Sequence, residues 1–125
     1  MNESNLSDDA LAELLTLTVE VNDYGTTYYR NQSEQVHRVH GPAIIYETGG
    51  CVWYLNSRIH RTGGPAVEYS DGSKEWFHHG TLHREDGPAV EWSDGDCDWW
   101  LNGEQLDGEA EYTAQLVLLS LPSKR

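Results

Sequence analysis

The amino-acid sequence predicts a mainly β protein: an elongated antiparallel meander of about four 23-residue β-hairpin repeats, with a short N-terminal helix and a C-terminal helix as caps. Three observations carry this expectation. The segments "HRVHGPAIIYETG" (37–49), "HRTGGPAVEYSDG" (60–72) and "HREDGPAVEWSDG" (83–95) recur every 23 residues, so that His37, His60 and His83 stand in register, as do Pro42, Pro65 and Pro88. Between them, Trp53, Trp76 and Trp99 align, each followed by a second aromatic, Tyr54, Phe77 or Trp100. Within each unit apolar and polar residues alternate and turn residues punctuate the alternation, which is the signature of hairpins. The chain divides into an acidic helical cap (1–18), the repeats (19–112), and a C-terminal cap with a tail (113–125).

The N-terminal helix is expected over about 7–17. Ser7 can cap it, Asp8 and Asp9 suit the positive end of its dipole, and Leu11, Leu14 and Leu15 form an apolar stripe to cover one edge or face of the sheet. "VEVNDYGTTYYRNQSEQV" (19–36) reads as a worn first unit with one inserted residue. In the regular units Val67 and Tyr69 alternate with Glu68 and Ser70. Asp71-Gly72 then suggests a two-residue turn, which would set Tyr69 against Lys74, Glu68 beside Glu75, and Val67 against Trp76. A second turn is expected at His79-Gly80, matched by Asn56-Ser57 and Asn102-Gly103; it would place Trp76 against His83 and Phe77 against Leu82. Each Gly-Pro breaks the ladder, because proline has no N–H to donate.

"LDGEAEY" (106–112) reads as a final half unit that has lost its His-Arg and Pro. Asp107 could cap a helix through "GEAEYTAQLVLLS", stopped by Pro122; the rival is a last strand in "AQLVLLSL". Helix is preferred, since an exposed apolar edge strand invites aggregation.

With Trp76, Gly80, His83, Gly87, Asp94 and Gly95 in place and a period of 23, the chain resembles the MORN-repeat family over about residues 19–112. It is most similar to a variant, with the block His-Arg-x-x-Gly-Pro-Ala, found in bacteriophage and large-virus proteins. The resemblance implies a scaffold or interaction surface, in some members a lipid contact. In a phage setting it implies an inhibitor of a host enzyme or anti-phage defence factor, acting in the host cytoplasm. The chain departs from the usual pattern where Gly-Pro-Ala replaces a Gly-rich hairpin, and in its strong acidity, which weighs against lipid.

Composition narrows the function. The 125 residues carry a net charge of −13, and 38% are hydrophobic, with five Trp and seven Tyr but few Leu, Ile, Val and Phe, which suits a thin sheet better than a thick core. No apolar run is long enough to span a bilayer and the first residues lack a signal-peptide core, so a soluble cytoplasmic protein is expected. Cys51 and Cys97 sit two repeats apart, about 20 Å at the spacing of antiparallel strands, too far for a disulfide. Residues 24–84 are nearly neutral, with five acids against Arg30, Arg38, Arg58, Arg61, Lys74 and Arg84, whereas no Lys or Arg lies between Arg84 and Lys124. Such a surface repels nucleic acid and anionic membranes and steers in a basic partner.

Chemistry is not indicated. The stacked histidines should lie about 10 Å apart, too far to share a zinc ion, and His78 and His79, as chain neighbours, should point apart. Each repeated histidine is instead expected to pack on its paired Trp. "SDGDCD" (93–98) lacks the Gly and Glu of a calcium loop, having Trp99 and Gln105 at those places. No nucleophile elbow or phosphate loop occurs. No cofactor and no enzymatic activity are expected.

What remains is a protein-binding module. Its acidic contacts are expected at Glu91, Asp94, Asp96, Asp98, Glu104, Asp107 and Glu109, and its aromatic anchors at Trp92, Trp99 and Trp100. Two alternatives are an acidic nucleic-acid mimic that blocks a DNA- or RNA-binding protein, and a structural repeat protein that self-associates as a homodimer.

Overall fold

The computed structural model describes residues 6–122. Helix α1 (Asp8–Leu14) leads into β1 (Thr18–Val21), β2 (Thr27–Arg30), β3 (Ile44–Ile45), β4 (Cys51–Val52), β5 (Tyr54–Leu55), β6 (Arg58–Ile59) and β7 (Val67–Glu68). There follow β8 (Lys74–Glu75), β9 (Phe77–His78), β10 (Thr81–Leu82), β11 (Val90–Glu91), β12 (Cys97–Leu101), β13 (Glu104–Leu106) and helix α2 (Glu109–Ser120). One antiparallel sheet runs in the order β1-β2-β3-β4-β7-β8-β11-β12-β13, while β5–β6 and β9–β10 form separate hairpins. The first two regular units therefore each give two strands to the main sheet, bend at their Trp and make a small side hairpin before returning, whereas in the third β12 runs unbroken through Trp99 and pairs with β13. Among the described residues no helix is long and apolar enough to cross a membrane.

Two kinds of turn set the register. At the outer end, Gly72 N donates to Tyr69 O (3.0 Å) and Tyr69 N to Ser73 O (2.9 Å), which closes a three-residue loop with Gly72 at φ +95°. The same pair of bonds occurs at Asn22–Thr26, Tyr46–Gly50 and Trp92–Asp96, so the worn first unit is a true copy. The expected two-residue turn at Asp71-Gly72 is thus corrected. Asp71 does not take a positive φ, and its Oδ1 accepts the Ser73 amide (2.8 Å), which favours the longer loop. Consequently Glu68 faces Lys74 and Val67 faces Glu75, rather than Glu75 and Trp76 respectively. At the inner end the two-residue turns are as expected: Asn56-Ser57, His79-Gly80 and Asn102-Gly103 all have positive φ, and Phe77 pairs with Leu82. The inserted residue of the first unit lies in the longer Asn31–Gln35 loop, where Asn31 Oδ1 accepts the amides of Ser33 and Gln35.

The His-Arg-x-x-Gly-Pro-Ala block builds a repeated wedge. The guanidinium carbons of Arg38, Arg61 and Arg84 lie 4.2, 4.0 and 3.8 Å from the ring centres of Tyr29, Trp53 and Trp76. Each arginine also donates from Nη1 to the carbonyl of Pro42, Pro65 or Pro88, at 3.4, 3.1 and 3.1 Å. The glycine before each proline lets the backbone press on the guanidinium: a Cβ on Gly41, Gly64 or Gly87 would stand 2.6 to 2.8 Å from the arginine Cζ. Ala43, Ala66 and Ala89 are wholly buried, and their carbonyls accept the backbone amides of Tyr29, Trp53 and Trp76.

The cation over each aromatic ring is the arginine, which corrects the expectation that the histidine packs there. The histidines reach forward instead. Nδ1 of His37, His60 and His83 accepts the amide of Asn56, His79 and Asn102, the first residue of the next inner turn, at 2.9 to 3.0 Å. Ring and turn are thereby locked across units.

The apolar core is a thin strip. Ile44, Val52 and Val67 are buried with Tyr54, Ile59 and Phe77 from the side hairpins against them, and Leu101, Leu106 and Tyr112 make a second cluster. The caps close the two ends. Ser7 caps α1 as expected, accepting the Ala10 amide, and Glu13 accepts the amides of Val39 and His40 in the first bend. All four β1 residues nevertheless remain exposed, so α1 leaves that edge uncovered. At the other end the helix reading holds, but α2 begins at Glu109, inside the segment assigned to the repeats. Gly108 and not Asp107 is the cap residue, and the Asp107 amide donates to Glu111. Tyr112 takes the place of the missing fourth arginine: its ring lies 4.7 Å from that of Trp99, and its hydroxyl donates to Arg84 O (2.6 Å) and accepts from Gly87 N (3.2 Å).

Two stability changes follow. Gly64 does not hold a left-handed φ, so Gly64→Ala tests the wedge alone; urea unfolding followed by Trp fluorescence should show a loss of about 1–3 kcal/mol. Unchanged stability would mean that arginine and glycine do not depend on one another. Tyr112→Phe keeps the ring contact but removes both hydroxyl bonds, and the same measurement should register about 1–2 kcal/mol.

Candidate functional site

The structure separates the acids named from sequence. Asp94 and Asp96 are exposed in the outer turn of the third regular unit, where Asp94 Oδ1 accepts the Asp96 amide (2.9 Å). Glu104, Asp107 and Glu109 are exposed along β13 and the start of α2. Glu91 is half-buried, with Oε1 3.5 Å from Arg84 Nη1, and Asp98 is half-buried and accepts a bond from Trp92.

The three aromatic anchors expected from sequence differ in exposure. Trp99 is packed beneath Tyr112 and against Leu101 and Leu106, and Trp100 is half-buried with its Nε1 sealed from solvent. Both lie within β12 and are partly buried in the C-terminal end of the sheet. Trp92 alone of the three is open, and the repeat gives it company. Tyr46, Tyr69 and Trp92 occupy one repeat position and are 41%, 47% and 45% exposed. Each stands two residues beyond a buried residue of the floor, Ile44, Val67 or Val90, and so on the same face. Their spacing of 23 was available in the sequence.

Two of these aromatics carry a carboxylate at a matching place. Tyr69 Oη donates to Glu75 Oε1 (2.8 Å), and Trp92 Nε1 donates to Asp98 Oδ2 (3.0 Å). Glu75 and Asp98 are themselves one repeat apart; Val52 fills the position before them. A groove of about 420 Å³ opens beside Tyr46 and Tyr69, lined also by Val52, Val67, Tyr54 and Ile59.

The groove is chemically quiet. Burial, then the bond to Glu75, pushes the Tyr69 phenol up to about 12, so it remains a donor at working pH. Burial, reinforced by Tyr28 and Tyr54, also raises Tyr46. The Cys51 thiol donates to Glu68 Oε2 (3.4 Å); burial first, and that bond second, push it up to about 11. Cys51 is held as a thiol and makes a poor nucleophile.

The inner turns hold a cluster that sequence reasoning dismissed. His78 and His79 do not point apart: their ring centres are 4.4 Å from one another and 4.8 and 4.2 Å from that of His60, with ligand atoms of all three within 4.8 Å. The neighbours meet because His79 sits in a left-handed turn residue rather than in a pleated strand. As a zinc site the trio is nevertheless incomplete. His60 Nδ1 already accepts the His79 amide, which places the ring proton of the neutral form on Nε2 and leaves His60 no free lone pair, while its plane stacks on His79 at 17°. Burial first, then the neighbouring His79 and His78, lowers the pKa of His60, so it stays neutral and serves the turn.

No protein-family model, curated protein or solved structure matches the chain.

The contrast between the two thiols, both free, can be read by alkylation. Iodoacetamide at pH 8 should modify the exposed Cys97 first, with Cys51 trailing because burial and the Glu68 bond cut its thiolate fraction. Mass spectrometry of partly modified protein decides this, and equal labelling would show that burial and Glu68 together do not hold the Cys51 proton.

Proposed function

We propose that this chain is a non-enzymatic protein-binding module for a partner with a basic surface. The observation that carries the reading is the column of Tyr46, Tyr69 and Trp92, three large aromatics left open at one repeat position on a sheet that buries its other apolar residues sparingly. Exposed aromatics on a rigid support lose little entropy on binding and dominate interface energies. The overall charge sets the class of partner: the net charge of −13 repels polyanions and attracts basic surfaces. The two free thiols support a reducing compartment. If the resemblance to phage repeat proteins holds, the partner is a host protein and the module an inhibitor.

An aromatic-anchored contact is favoured over a nucleic-acid mimic. A mimic needs a continuous row of carboxylates to stand for phosphates, whereas the exposed acids are split between the outer turn of Asp94 and Asp96 and the stretch of β13 and α2 that carries Glu104, Asp107 and Glu109. Self-association through the exposed β1 edge is the remaining reading, with Val19 and Val21 open along it.

The test is capture by the immobilised chain from cell extract, washed at low and high salt, in parallel with a Tyr46→Ser, Tyr69→Ser, Trp92→Ser variant whose fold is checked by circular dichroism. A partner that survives the high-salt wash on the wild-type chain and is absent from the variant is expected. Retention by both chains would sink the aromatic anchor, and a partner shed by salt alone would favour the mimic.

A further inference from the structure

The chain shows on its inner side what an aromatic ring next to oxygen acceptors binds. Arg61 lies on Trp53 and donates to Pro65 O; Arg84 lies on Trp76, donates to Pro88 O, and bonds Asp86 through Nε at 2.8 Å. The planar guanidinium satisfies both partners at once, stacking on the ring while its N–H fork meets oxygen. The outer column repeats these components without an internal cation. Tyr69 with Glu75, and Trp92 with Asp98, each join an exposed aromatic face to a carboxylate. Among the described residues the cation–ring contacts fall on Tyr28, Tyr29, Trp53 and Trp76, none on this column.

We infer that the outer column is a binding site for the arginine side chains of an extended basic segment, each guanidinium lying against Tyr69 or Trp92 and bonding the carboxylate of Glu75 or Asp98. This rests on the reading of the chain as a protein-binding module and names the chemistry of its partner. Tyr69 and Trp92 are one repeat, hence two strands, apart, which is about 10 Å. Three residues of polyproline II backbone, at about 3.1 Å each and three to a turn, cover the same distance and return to the same face, so arginines at every third position match both sites. The groove beside Tyr46, with Val52 in place of a carboxylate, accommodates the aliphatic part of the segment. Lysine fits less well. Its ammonium is a compact, strongly hydrated charge that does not stack as a plane on the ring.

The experiment is calorimetric titration of the full chain with a ten-residue peptide bearing arginine at every third position, and with its lysine counterpart. The arginine peptide should bind at least tenfold more tightly than the lysine peptide, and Tyr69→Ser or Trp92→Ser should each weaken it at least fivefold. Asp8→Asn with Asp9→Asn, which removes two negative charges far from the column, should change it by less than twofold. Equal affinity for the two peptides, or no effect of the aromatic variants, would reduce the interaction to general charge attraction and overturn the inference. If the arginine peptide fails to bind while capture from extract still depends on Tyr46, Tyr69 and Trp92, the module stands and the arginine site falls.

Discussion

The stacking of an arginine on an aromatic ring within each unit is the contact from which the other features of the repeat follow. A guanidinium 3.8 to 4.2 Å from a ring centre leaves no room for a side chain on the backbone that closes over it, which fixes glycine at 41, 64 and 87. Its N–H groups need an acceptor once water is displaced, and the proline carbonyl supplies one because the bend that proline imposes turns that carbonyl inward. The following alanine is small enough to vanish between the layers. A cation–π contact is worth about 2 kcal/mol when desolvated. In a sheet with so few buried aliphatics that is a substantial part of each unit's stability.

Such a repeat cannot end on itself. Every unit uses its histidine to hold the next inner turn and its arginine wedge to cover its aromatic, so the two terminal units each lack a neighbour. Glu13 meets the deficit at the start by accepting two amides of the first bend, and Tyr112 meets it at the end by lying on Trp99 where an arginine would otherwise lie. These are local substitutions of one interaction for another, and they explain how helices of poor amphipathic character are held. α2 keeps only Tyr112 buried and Leu116 half-buried, leaving Val117, Leu118 and Leu119 exposed.

Much of this architecture was legible in the sequence, because a hairpin repeat writes its period into the chain. The register of the inner turns follows from Asn56, His79 and Asn102, which tolerate left-handed backbone or are followed by glycine. The outer turns were misread because Asp-Gly serves equally as the centre of a two-residue turn or the end of a three-residue one. The choice depends on whether the Asp side chain caps the following amide, as Asp71 does, and spacing carries no trace of that. That single residue of register moved Glu75 onto the face of Val67 and so concealed its pairing with Tyr69. The roles of neighbouring residues inside the motif were likewise exchanged, histidine being assigned the stacking that arginine performs. Both side chains are large, planar and capable of hydrogen bonding, and only their three-dimensional placement tells them apart.

The same chemistry seen on two faces links fold to function. Inside, ring and oxygen acceptors are joined by a cation of the chain, and the result is a rigid unit. Outside, the same pairing of ring and carboxylate is presented to solvent at a fixed repeat distance, within a surface whose C-terminal part carries ten acids and no base between Arg84 and Lys124. Excess charge of one sign repels itself and costs stability in any thin protein. A basic partner would relieve that repulsion while its planar cations complete the aromatic–carboxylate pairs, so long-range charge would govern the rate of encounter and the column would govern selectivity. Division of labour of this kind needs a scaffold that does not adjust on binding, and a sheet locked unit to unit by histidine, arginine and proline provides one.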